Sequence, residues 1–478
     1  MAKCSLRKVV VNDIFEPKYS FATNIEGRFL YIVDGKKAWL IATFDFSYMF
    51  RSTCLKWRKA VSMATGISVA NIWVHTSQSH TAPSGWSLED KAFTSLVDTT
   101  IPIIKKMVNE AEEAELSYAV ANLDGKYNFN REAYVPELGV VTLWGGLAEV
   151  RENEYPTCQD PDKMLLHGYK AEISEPVVFD RAVDSSGSLL VFRTKSGKII
   201  GSLLRFTGHP DIAGSPANIG VSLDLFKYHF DWPGYVRETL EEQLGGVSMC
   251  VNGPCGNVAM RYSAPDTYEK AYAIANHFAH GIAGDLIKTW EKNIQWQSVT
   301  LKAISSCEVD LPILEMIPEN RDALPSEENL KCQTEKKYEE LKQMIERKET
   351  PAKIKRMAEE LLSLCCLRNK VLRWTNITDD EMSRRVMTIE LNALAINDII
   401  LLGFPGETMT DTSMLIQAAT YGKKLITFDQ VNGYHTYLPM NNSYAEGGYS
   451  YWCTSVAHGA EPVMRQRALE LIQVLERD

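Results

Sequence analysis

The sequence predicts an α/β protein, a mixed β-sheet core covered by helices. Three observations carry that expectation. β-rich apolar runs alternate with helical segments along most of the chain, the pattern of elements layered around a shared core. Hydrophobic residues make up 45% of the 478 positions and aromatic ones 10%, enough for a large interior. Short polar segments containing His, Glu and Tyr follow directly on apolar, strand-like runs, where open α/β sheets gather their reactive groups.

Taken in order, residues 28–44 read as a hairpin, with Asp34-Gly35 at the turn between two β-rich runs. Residues 50–63 read as a helix and 71–75 as a buried strand. If that strand continues from Ile72 to His80, alternation puts Thr76, Gln78 and His80 on one face and His75 on the other. A long amphipathic helix is expected from about 88 to 116, broken near Pro102. Residues 198–207 form a strand delivered to His209. Trp232-Pro233-Gly234 precedes a helix over 235–244, and 247–251 is a short strand ending in Asn252-Gly253-Pro254-Cys255-Gly256. A long helix spans 268–292. Further on, 394–402 reads as one strand, Glu407 as the opening of the next helix, 424–428 as a strand and 461–476 as a closing helix.

Residues 318–372 stand apart from the body formed by 1–317 and 373–478. Glu, Lys and Arg dominate there, with Leu, Met and Ile at helical spacing, and Pro351 splits the segment in two. No heptad persists, so a helical-hairpin insertion is expected rather than a coiled coil. Its charged faces are expected to be solvated and peripheral, dispensable for folding, with a dimer or partner surface as the alternative.

A net charge of −10 without a Lys/Arg run disfavours nucleic acid, since phosphate neutralisation needs a basic patch. No stretch approaches the roughly 20 apolar residues of a membrane span. Val9-Val10-Val11 is shorter than a signal-peptide core of about 7–15 residues. The ten cysteines form no C-x-x-C pair and are expected to be free thiols in a reducing compartment. These readings together describe a cytosolic, soluble protein acting on a small molecule, away from membranes.

The polar segments are Ser77-Gln78-Ser79-His80-Thr81-Ala82-Pro83, Thr207-Gly208-His209-Pro210, Phe404-Pro405-Gly406-Glu407, and Tyr437-Leu438-Pro439 through Gly447-Gly448-Tyr449. They supply nitrogen and oxygen donors for one divalent metal, and a catalytic zinc needs three protein ligands with one position left open. Each also has a plainer reading. A single His at a strand end is commonly structural, Glu407 suits a helix N-terminus, and tyrosines fill cores and surfaces.

In sequence order these segments resemble the neutral/alkaline, non-lysosomal ceramidase superfamily, zinc amidases that cleave the N-acyl bond of ceramide. The resemblance runs through Ser77–Pro83, Gly208-His209-Pro210, Asp231-Trp232-Pro233-Gly234, Gly256-Asn257-Val258-Ala259-Met260, Pro405-Gly406-Glu407 and Tyr437–Tyr449. It implies a ceramidase N-terminal-domain-like fold and a zinc site at the positions of Gln78, His209, Glu407 and Tyr449. Gln78 replaces a family His and is a poor zinc ligand; His80 matches the second His of that motif and is the candidate replacement. The resemblance also implies that Arg131, in Asn130-Arg131, and Tyr437 polarise the substrate carbonyl. The family serine aligns with Ala259 and its Asp with Asn257, which leaves the thiol of Cys255 or a water activated by the metal as nucleophile, the metal route being favoured. The C-terminal β-sandwich of well-known members has no counterpart after Tyr449. A membrane sphingolipid is therefore not the expected substrate.

The function this implies is zinc-dependent hydrolysis of an amide or related acyl bond in a small polar metabolite. Two alternatives stay open: a metal-dependent enzyme acting on a sugar or carboxylic acid, and an inactive ceramidase-like binding protein.

Overall fold

Alternation along the strands decides the architecture. In Glu26–Asp34 and Lys37–Phe44, Leu30, Ile32, Trp39 and Ile41 face one way and Phe29, Tyr31, Leu40 and Ala42 the other, and both sets are buried. A sheet that is apolar on both faces must be covered on both. The computed structural model, which describes residues 2–16, 18–88, 91–135, 138–142, 152–160, 165–172, 181–218, 221–262 and 265–476, shows how this is done.

The first sheet is nine-stranded. Its order is Val247–Asn252, Ile199–Phe206, Ser186–Thr194, Glu112–Asn122, Lys3–Val10, Glu26–Asp34, Lys37–Phe44 and Ile72–Thr76, with Gln297–Ser298 beside Glu112–Asn122. Pairing is parallel at the two ends and antiparallel between them. Its two halves join where Lys3 and Cys4 pair with Glu113 and Glu112. A second, four-stranded sheet runs Leu301–Pro312, Val386–Ile396, Ile399–Gly403 and Lys424–Phe428. The sheets stack face to face, so that Leu6, Leu30, Trp73 and Met249 share a core with Leu394, Leu401 and Phe428.

Helices cover the outer faces. Arg51–Thr65 and Lys91–Asn109 lie over one half of the first sheet, and Asp231–Leu244 and Tyr268–Lys292 over the other. Ala460–Leu475 packs on the second sheet through Met464, Ala468 and Leu471. The mixed α/β expectation therefore holds, with the core built from two stacked sheets between helical layers. Among the described residues no helix is long and apolar enough to cross a membrane.

Several local expectations are corrected. The helix at Lys91–Asn109 runs straight through Pro102 and stops early, while Glu112–Asn122 is a central strand. That run suits either period, and its continuous pairing with Ser186–Thr194 selects the strand. Residues 394–402 hold a tight turn, with Asn397 at φ 52°, between the strands ending at Ile396 and starting at Ile399. The strand expected to reach His80 ends at Thr76, and Gln78 takes φ 66°, so its side chain does not follow strand alternation. Glu407 opens no helix. It lies in a two-residue strand, Glu407–Thr408, parallel to Tyr437–Leu438, and the helix begins at Thr410.

The segment 318–372 contains helices Glu327–Glu346 and Pro351–Cys365, with Pro351 in the first turn, where its missing N–H costs nothing. The second helix is not peripheral. It buries Ile354, Ala358, Leu361 and Leu362, and Leu362 packs with Met409, Tyr437 and Trp452. The charged composition hid this face, because Lys355 and Glu359 are themselves buried on it as an ion pair. Leu362→Ala is expected to cost about 2–5 kcal/mol in denaturant unfolding. A loss below about 0.5 kcal/mol, the size typical of surface positions, would show that the helix does not belong to the folded core.

Candidate functional site

The loops after strands Ile72–Thr76, Ile199–Phe206, Val247–Asn252, Ile399–Gly403 and Lys424–Phe428 converge, bringing Gln78, His209, Cys255, Glu407 and Asp429 together. The backbone there is unusually constrained. Gln78, Gln430, Asn432 and Thr436 all have positive φ, and for the β-branched Thr436 a φ of 58° is a genuine outlier. At Gly406, φ is 73°, and a Cβ would sit 2.7 Å from the Thr436 carbonyl oxygen, so only glycine admits this close approach. That contact fixes the course of the chain into Glu407.

His209 is fully buried and organises the cluster. Its Nδ1 lies 3.1 Å from the Val258 carbonyl oxygen, which can only accept, so Nδ1 carries the proton and Nε2 presents a lone pair. Around Nε2 stand Glu407 Oε2 at 3.2 Å, Arg131 Nη2 at 3.3 Å, and Gln78 Nε2 and the Tyr437 hydroxyl at 3.4 Å. Burial and the Arg131 charge lower the His209 pKa, which favours a neutral imidazole. Burial works to raise the Glu407 carboxyl, but its contacts with His209 and Tyr437 and the Arg131 charge hold it below the usual carboxylate range. Glu407 Oε1 accepts a 2.9 Å bond from the Tyr434 hydroxyl.

Arg131 is buried and donates through Nη2 to Tyr437 at 2.9 Å and to the Gly256 carbonyl at 2.8 Å. Tyr437 meets the Tyr449 ring edge-on, centroids 5.4 Å apart, and the Arg131 guanidinium carbon lies 5.9 Å from the centre of the Tyr449 ring. Tyr449 thus lines the site one ring beyond the His209–Glu407 pair. His80 is exposed at the edge, its ring centroid 5.4 Å from that of His209, with Nδ1 3.1 Å from the Gln78 carbonyl. His75 faces the inter-sheet core, where its Nε2 accepts the Asn252 N–H.

Cys255 is buried with its Sγ 2.9 Å from Gln78 Oε1. Burial, then the charges of Asp429 and Glu407, push the thiol well up, so it rests as a donor rather than a thiolate. At the aligned positions of the missing nucleophile segment, Ala259 is buried in Val258–Met260, and Asn257 bonds Asp411 and the Thr410 N–H.

Two residues here escaped the sequence reading. Asp429 accepts the N–H groups of Thr408 and Cys255, tying the Glu407 strand to the Cys255 loop. Tyr434 orients Glu407. Asp429 follows directly on the strand Lys424–Phe428, the same signal that marked His209 and Glu407.

Among the described residues no three His, Cys, Asp or Glu side chains form a metal-binding group on their own. A cation at this point would take His209 and Glu407 as its firm ligands and draw its remaining donors from tyrosine oxygens, the Gln78 amide or His80. The donor chemistry suits zinc at the first two positions and is less usual at the others. The clefts of about 460 Å³ beside Arg28 and Arg237 and about 800 Å³ beside Lys37 and Lys424 are not lined by any of these residues.

No protein-family model matches the chain, and no curated protein matches it in sequence. Solved structures do. The neutral ceramidase of Pseudomonas aeruginosa superposes with a TM-score of 0.63 at 14% identity, over 100% of this chain and 75% of that one. A ceramidase complexed with C2 gives 0.62 at 14%, with the same coverage. The chain has a ceramidase-like fold, spanning three quarters of the length of those proteins.

Proposed function

We propose that the protein is a zinc-dependent hydrolase of an amide or related acyl bond in a small polar metabolite. One observation carries the reading. With the His209 proton committed to the Val258 carbonyl, two acceptors, the Nε2 lone pair and the Glu407 carboxylate, face each other 3.2 Å apart in a buried site. Like partial charges at that distance are costly in a low-dielectric interior; the Arg131 guanidinium beside Nε2 offsets part of that cost, and a divalent cation held by both acceptors would offset the rest. The Val258 bond is the usual device that orients a metal-binding imidazole. His209 and Glu407 would hold the metal, with Gln78 and Tyr437 nearest to them and Tyr449 and His80 at the rim of the cluster as further donors. Zinc bound there would supply a Lewis acid and an activated water.

The chain's own groups do the rest. Arg131 and the Tyr437 hydroxyl flank the same point, so a carbonyl oxygen entering there would lie beside the Arg131 charge and compete with Glu407 for the Tyr437 proton. Arg131 cannot lose its charge, and its bond to Gly256 fixes its direction. Cys255 holds Gln78 rather than attacking the substrate. The fold shared with neutral ceramidase supports a hydrolase.

The test is turnover of a mixed panel of N-acyl compounds, with product analysis, before and after chelation and zinc repletion. Acyl release that disappears with chelator and returns with zinc is expected, and Cys255→Ser should keep most of it. Loss of activity in Cys255→Ser together with an acyl adduct on Cys255 would replace the metal route by a thiol one. A zinc-loaded protein that cleaves none of the panel would reject the amidase reading.

A further inference from the structure

We propose that the helix Pro351–Cys365 is a positioning element of the site, holding the segment that carries Tyr449 in place. The inference rests on the reading that Tyr449 belongs to the site, and it assigns a task to the part of the chain that composition marks as an appendage.

The contacts fall on both ends of a short segment. At its start, Glu359 Oε1 accepts the Gly448 N–H at 2.7 Å, and Lys355 pairs with the same carboxylate at 2.8 Å; both side chains are buried. The fit is tight, because a Cβ on Gly447 would lie 2.5 Å from Glu359 Oε2. With φ of 77° and 107°, Gly447 and Gly448 adopt a backbone that other residues resist, so the carboxylate meets an N–H that only this glycine pair can present. At the far end, Ser363 Oγ and the buried Lys370 Nζ both donate to the Trp452 carbonyl, at 2.9 Å and 2.6 Å. Between them, Arg356 donates to the Tyr451 hydroxyl at 2.6 Å.

On the opposite side, Glu132, next in the chain to Arg131, accepts the Ser450 hydroxyl at 2.8 Å, and Thr142 Oγ1 accepts the Tyr449 N–H at 3.2 Å. The helix Tyr449–Cys453 is a single turn of five residues, too short to be stable on its own. Its geometry is therefore set by these anchors. A buried Lys–Glu pair is a weak source of stability, but here both Lys355 Nζ and the Gly448 N–H converge on Glu359 Oε1, which defines where that N–H must lie.

The test replaces both charges at once, Lys355→Met with Glu359→Leu, so that no lone charge is left buried and no acceptor remains for the Gly448 N–H. Ser363→Ala is the milder variant should the first fail to fold. Amide hydrogen exchange over residues 447–453 is expected to rise about tenfold or more, with the sheets unchanged, and zinc affinity measured by competition is expected to fall about 10–100-fold. Exchange in 447–453 that stays at the wild-type rate in a folded variant would overturn the positioning role. Faster exchange with unaltered zinc affinity would also overturn it, since the segment would then be held for no purpose at the site. A wild-type protein that takes up no zinc, with exchange still faster in the variant, would instead count against the metal reading of the site.

Discussion

His209→Ala is expected to reduce zinc from about one ion per chain to less than a tenth of that, measured by elemental analysis after dialysis. The imidazole is one of two firm donors, and its direction is preset by Val258, so nothing nearby can take over its lone pair. Water filling the space left would meet Glu407, Arg131 and Tyr437, all polar, so the fold is expected to survive, and circular dichroism will show whether it does. His80→Ala provides the contrast. Its exposed ring stands at the edge of the cluster, so zinc content should fall much less, by a few-fold in affinity. Retention of stoichiometric zinc by a folded His209→Ala protein would remove the basis of the proposed metal site.

Arg131→Met should separate catalysis from metal binding. Methionine approximates the volume of the arginine stem but carries no donor, so the expected result is a fall in kcat of about 10²–10³ with KM changed only a few-fold and zinc content preserved. The reasoning is geometric. Arg131 Nη2 and the Tyr437 hydroxyl are bonded to each other at 2.9 Å and both face His209 Nε2, so they act where negative charge develops rather than on a remote part of the substrate. Tyr437→Phe should give a smaller loss, since the guanidinium remains. An Arg131→Met protein with a raised KM and normal kcat would assign the residue to ground-state binding instead.

Much of the site was legible because its residues stand at strand ends. His209 and Glu407 were found by that rule, and the structure places them 3.2 Å apart. Arg131 came from the family resemblance alone, since neither composition nor periodicity distinguishes a buried Arg from a surface one, and Tyr437 from its polar segment together with that resemblance. Strand alternation failed beyond Thr76 because Gln78 has left-handed backbone, a property that depends on the loops packed around it. The helix-cap reading of Glu407 failed because a partner distant in sequence, Tyr437, pairs with it. Asp429 shows the same limit. Its significance lies in the two N–H groups it gathers from separate loops, and no local pattern records them.

The joint between the halves of the first sheet has a consequence for how the protein assembles. Among the described residues the strand ladder between them is just Lys3 and Cys4 paired with Glu113 and Glu112, yet Gln78 comes from one half, His209 and Cys255 from the other, and Glu407 from beyond both. Each half can form its own local pairings early, whereas the cluster closes contacts separated by 131 and 198 residues. Contacts of such long range form late in folding, because loop closure must be paid before they give any return. The His209–Glu407 cluster is thus a keystone set last, and any ion that binds the finished cluster will draw the equilibrium toward the complete fold.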